Sequence, residues 1–157
     1  MSTEQELDRL LDRPFVFQER PGPAGGDLRA VWRLPVLLML VRACRGEKAT
    51  PEQLHVLNWA VRSSESAESL AAFLDGKVRP EEAIVRFEPA LDRAVALARG
   101  FELLAWNDRY WVLTERGRDL LHKVDGQAET LLMEKALLKQ LPGPLTQAAV
   151  KKLLGRG

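Results

Sequence analysis

Cysteine is nearly missing from this sequence. Cys44 stands alone among 157 residues, so no internal disulfide can form. With only His55 and His122 beside it, the thiol cannot make a convincing metal set. Cys44 is flanked by a helical apolar run and has no activating partner, which reads as a buried structural thiol rather than a nucleophile. An excess of one charge sign is missing too. Twenty-three basic residues stand against 22 acidic ones, a formal net charge of +1. A dedicated nucleic-acid binder has a clearer basic excess, so any such binding must rest on local clustering. No long hydrophobic run occurs: "LPVLLMLV" (34–41) is far short of the ~20 residues a spanning helix requires. The opening "MSTEQELDRLLDR" is polar and acidic, unlike a secretory leader, so a cytoplasmic location is expected. The sequence holds no "GxxxxGK[ST]", "HExxH" or "GxSxG", and no paired metal carboxylates in a helical frame. "PGPAGG" is glycine-rich but lacks the lysine and helix start of a phosphate loop. Neither an enzyme nor a bound cofactor is expected.

What is present is globular: 46% hydrophobic and 29% charged residues suit one domain with a modest core. The expected fold is mostly α with a small β hairpin. Residues 1–26 read as an N-terminal arm: a short helix (4–13), an extended "PFVFQ" (14–18), then the breaker-rich "RPGPAGG". Residues 27–124 read as a helical, winged-helix domain and 125–157 as a C-terminal helical extension. Asp27 is a candidate cap, and Pro35 fits the first turn of a helix running to about Arg45, with Gly46 ending it. Thr50, Pro51 and Gln53 supply a cap, a first-turn proline and a capping-box partner for a helix to Arg62. A helix over 65–75 ends at Gly76. "AIVRFE" (83–88) looks like a strand, and Pro89 opens a helix closed by Gly100. "FELLAWNDRYWVLT" is a hairpin signature around Asn107-Asp108. Thr114 caps the helix that returns, and two further helices lie near 127–140 and 145–154.

Within "LHVLNWAVR" (54–62), apolar residues occupy most of the circumference. His55, Asn58 and Arg62 remain as a ridge only ~60° wide, narrower than an ordinary polar face. Two readings stand. Either the domain's own helices grip this element and the ridge meets water or internal partners, or the ridge and Trp59 face a partner protein, as aromatic and arginine anchors do.

The hairpin raises the same question. A two-residue turn at Asn107-Asp108 sets Trp106 opposite Arg109 and Leu104 opposite Trp111, with large apolar groups on both faces. Either the arm, through Phe15 and Phe17, or another chain covers the second face. Leu104, Trp106 and Trp111 are therefore candidate partner contacts.

The exposed side of "PALDRAVALAR" offers no Asn, Gln, Ser or Thr to read base edges, and Asp92 repels phosphate. For sequence-blind phosphate contact the candidates are Arg93, Arg99, Arg109, Arg116 and Arg118 around the hairpin, with Lys151, Lys152 and Arg156 near the C-terminus. Glu102, Asp108, Glu115 and Asp119 are interspersed among them, as in ordinary solvated charge. The leucines of "QAETLLMEKALLKQL" lie on three sides of a helix. Leu137 and Leu138 are candidate contacts with a second chain, either a partner or another copy in a homodimer.

The stretch from about Trp32 to Leu121 resembles the middle component of bacterial ABC-three-component systems. "RLPVLLMLVRACRGEKATPEQLHVLNWAVRS", "VRFEPALDRAVALARG" and "RYWVLTERGRDLL" carry the resemblance, over a little more than half the chain. "LHVLNWAVRS" is the distinctive part; "YWVLTERGRDLL" is common to many winged helices. The resemblance implies a non-enzymatic accessory subunit associated with an SMC- or Rad50-type ATPase and a separate effector, in defence against phage and plasmids. It implies no catalytic residues. A winged-helix transcription regulator that binds DNA is the alternative reading.

Overall fold

The computed structural model describes Gln5 and residues 26–127, 129 and 131–155. The helix expected at 4–13 and the extended stretch at 14–18 lie outside them, but for Gln5.

Seven helices form among the described residues: α1 (Gly26–Arg42), α2 (Pro51–Ala60), α3 (Ser64–Leu74), α4 (Pro89–Gly100), α5 (Glu115–Asp125), α6 (Leu132–Lys139) and α7 (Gln147–Leu153). A three-stranded antiparallel sheet has the order β1-β3-β2, with β1 at Lys48–Ala49, β2 at Leu104–Asn107 and β3 at Tyr110–Leu113. No helix among the described residues is long and apolar enough to cross a membrane.

α1 is the hub, packed against α2, α4, α5 and β3. Leu34, Leu37, Leu38, Met39, Leu40 and Val41 are each at most 3% exposed, as a helix apolar all round requires. Pro35 does not open this helix. It lies inside, nine residues after Gly26. An interior proline forfeits one backbone hydrogen bond and crowds the preceding turn, at about 3 kcal/mol. Full burial of each large neighbour contributes about 1.5–3 kcal/mol, so the core outweighs the local rule. The helix stops at Arg42, and Gly46 follows in a short 3-10 turn, at a φ of 75° that suits glycine.

α2 opens as its sequence predicts. The Gln53 amide donates to Thr50 Oγ1 at 3.2 Å, and the Thr50 amide donates to Gln53 Oε1 at 2.7 Å. Gln53 Nε2 also donates to the Leu145 carbonyl at 3.1 Å, tying the C-terminal segment to α2. That segment is no loose appendage. Leu137, Leu145, Val150 and Leu153 belong to the same buried cluster as α1. Lys135 of α6 donates to the Val124 and Gln127 carbonyls at 3.0 and 3.2 Å, capping the end of α5.

"AIVRFE" is not a strand. Residues 83–88 are irregular and pair with no described strand. The third strand is Lys48–Ala49, set beside β3 through Lys48↔Val112 and Ala49↔Trp111. The hairpin turn is also one residue later than expected. Asn107 pairs with Tyr110 and Trp106 with Trp111, leaving Asp108, at φ 60°, and Arg109 in the turn. The slip along the partner strand is two residues, so every side chain keeps its expected face. The observed register sets Leu104 opposite Leu113, both buried, and brings the two indoles into an edge contact with centroids 4.9 Å apart. The second face is covered in part by this chain's own residues. Lys48 Nζ lies 4.7 Å from the Tyr110 ring centroid, and the Tyr110 hydroxyl donates to Gln147 Oε1 at 3.2 Å.

Candidate functional site

The polar ridge of α2 has an internal destination. His55 and Asn58 are buried, at 7% and 9% exposure. Both reach the start of α4, where Glu88 and Asp92 wait. Asn58 Nδ2 donates to Glu88 Oε2 at 3.2 Å, Arg62 pairs with Glu88 Oε1, and Arg33 of α1 approaches Glu88 Oε2 at 3.5 Å. His55 Nε2 lies 3.1 Å from Asp92 Oδ1, and its ring stacks on Phe87 with centroids 4.3 Å apart. The partner-facing reading therefore fails for His55 and Asn58, whose side chains turn into the chain, although His55 Nδ1 is buried there with no hydrogen-bond partner among the described residues. Only Arg62 is exposed, and Trp59 is half-buried against the core. Two leucine assignments also change. α6 begins at Leu132 rather than near residue 127; Leu137 is 4% exposed and Leu138 packs on the core, because α6 packs that side toward α3. The large apolar residues exposed on α6 are Leu132 and Met133.

Cys44 is buried and its Sγ donates to the Leu40 carbonyl at 3.4 Å. Burial pushes its thiol up to about 12, so the thiolate needed for nucleophilic attack or metal binding is disfavoured.

A broad concavity lies on the hairpin. It is an open groove of about 780 Å³ between the end of α4, β2 and the start of α5. Arg99, Leu104, Trp106 and Arg116, all singled out from the sequence, come together here with Glu102, Ala105, Thr114, Glu115 and Asp119. Leu104 forms part of the buried floor at 2% exposure, which leaves it little to offer a partner. Trp106 is 42% exposed and rests its indole edgewise on half-buried Trp111. The Arg99 guanidinium lies 5.9 Å from the Trp111 ring centroid.

Local structure explains why these groups converge. α4 ends with Glu102 at φ 60°, the left-handed residue that reverses the chain, and the Leu103 amide returns to the Ala98 carbonyl at 2.9 Å. Glycine usually occupies this position. Here it carries a carboxylate at the groove's edge. Thr114 caps α5 by accepting from the Gly117 amide at 3.1 Å, which sets Glu115 in the first turn and Asp119 one turn on.

The other proposed phosphate contacts do not join this groove. Arg93 and Arg118 are exposed on α4 and α5, Lys151 and Lys152 on α7, and Arg109 lies 3.7 Å from its neighbour Asp108. Arg156 lies outside the described residues. In the groove itself three carboxylates accompany two guanidiniums, a poor seat for a phosphate backbone. Sequence reasoning named the groove's arginines and tryptophan but treated its acids only as dilution; their spacing around the hairpin was the available signal. No protein-family model matches this chain, nor does any curated protein or solved structure.

Proposed function

We propose that this chain is a non-enzymatic accessory subunit of winged-helix type that docks on a larger ATPase of the SMC or Rad50 kind, in a complex defending bacteria against phage or plasmids. The observation that carries the docking role is Trp106: a large indole, 42% exposed, at the rim of a mixed-charge groove on a supported hairpin. Interface anchors are enriched in tryptophan, tyrosine and arginine side chains that become desolvated on docking. The winged-helix reading is supported by the order of α4, hairpin and α5 and by β1 lying beside β3. The identity of the partner rests on the resemblance of residues 32–121. The test is copurification. Tagged chain expressed with its genomic neighbours is expected to retain a large coiled-coil ATPase, and Trp106→Ala to weaken that capture roughly tenfold or more, the scale of an aromatic anchor. A free, stable monomer with no ATPase in the eluate sinks the reading. So does selective binding of its own promoter at physiological salt, the behaviour of a transcription regulator.

A further inference from the structure

The charges of the hairpin groove are unevenly satisfied. Arg99 lies near the Trp111 ring, and Arg116 is engaged in an interaction of its own. Glu102, Glu115 and Asp119 are all exposed, and none has an ion pair or a side-chain hydrogen bond with a described residue. The same groove is walled by the exposed part of Trp106, whose ring face attracts cations. An anion entering here would meet three unpaired carboxylates. A cation would meet those carboxylates and an indole, with exposed Arg99 and half-buried Arg116 beside them, three acids to two bases.

We propose that the groove between α4, β2 and α5 receives a basic segment of the docking partner, with an arginine or lysine laid against Trp106 and paired with Glu102, Glu115 and Asp119. The inference rests on the docking role proposed above and adds the chemistry of the segment that docks. A planar guanidinium suits the site best, since it stacks on an aromatic ring while its N–H groups reach carboxylates at the edge. The charge pairs are exposed, so salt weakens the contact.

The test uses the full chain and three probes: a short peptide alternating arginine and glycine, the same peptide with glutamate for arginine, and a short DNA duplex. The Trp106 indole N–H resonance, assigned by its loss in Trp106→Phe, reports occupancy. The arginine peptide is expected to shift it saturably, with affinity falling as sodium chloride is raised. Glu102→Gln, Glu115→Gln and Asp119→Asn combined should weaken the peptide roughly tenfold. The single exposed change Asp119→Asn should weaken it measurably and serves if the triple variant misfolds. No saturable shift, equal binding of the glutamate peptide, unchanged binding by the folded triple variant, or a DNA-induced shift at Trp106 each overturns the proposal. Copurification separates this failure from that of the docking role. An ATPase captured at full strength by the triple variant leaves the docking role standing and removes the basic segment. Peptide binding without any captured ATPase does the reverse.

Discussion

Gly117 sits at a close approach between α5 and the backbone of Leu103, the residue just before β2. A Cβ built there falls well inside contact distance of the Leu103 carbonyl oxygen and 3.2 Å from its carbon. That carbonyl also accepts the Thr114 amide at 3.1 Å, so it is poorly placed to retreat. Helix propensity alone predicts a gain of about 1 kcal/mol from Gly117→Ala. The packing predicts the opposite sign: forcing a methyl into a filled contact costs about 1–3 kcal/mol. Urea denaturation of the variant should show a lower midpoint, and a midpoint at or above the parent would refute the close approach. At the same scale, Cys44 is expected to resist iodoacetamide in the native protein at pH 8 and to react only after denaturation, because burial holds it as the thiol. Mass spectrometry of the labelled protein decides it; rapid native labelling would mean that the site is open.

Elements whose signals are local were legible in the sequence, and those decided by distant partners were not. The capping box of Thr50 and Gln53 lies within four residues, and α2 starts where it says. Thr114 is equally local and equally correct. "AIVRFE" has the residue types of a strand but finds no described strand to pair with, whereas Lys48–Ala49, only two residues, becomes one because β3 lies beside it. Pro35 signals a helix start, yet the surrounding core enforces a helix through it. The ridge of α2 was visible as a ridge, but its partners Glu88 and Asp92 lie 26 to 37 residues on. α6 turns the same lesson into a measurement. Leu137→Glu buries a charge in the core and is expected to cost several kcal/mol, enough to unfold a marginal domain. Leu132→Glu, at a position 58% exposed, should change stability by no more than about 0.5 kcal/mol. Thermal melts of the two variants compare them directly, and equal losses would show that α6 is seated otherwise.

Across the whole molecule, the end of α1 and the end of α5 are joined by a charged clasp. Arg42, at the end of α1, donates from both terminal nitrogens to Asp125, at the end of α5, at 2.6 and 3.0 Å. The hydrogen bond from Arg42 holds the Asp125 carboxyl below its ordinary value of 3.8, against a smaller opposing effect of burial, and raises the Arg42 guanidinium further. For a carboxylate depressed in the folded state, the stabilisation is complete above the unfolded value and disappears as pH falls through the folded one. Arg42 stays charged throughout. The side chains are 35% and 43% exposed, so solvent screens the pair and its contribution is at most about 1 kcal/mol. Asp125→Asn should therefore lose up to that amount at pH 7 relative to the parent. The difference should persist down to about pH 4 and close below it, as Asp125 in the parent takes up its proton. Denaturant titrations of both proteins from neutral to strongly acidic pH, at low salt, give the two curves. A gap that stays constant into acid would assign the effect to lost packing rather than to the charge pair, and a gap that widens would contradict the depressed carboxyl.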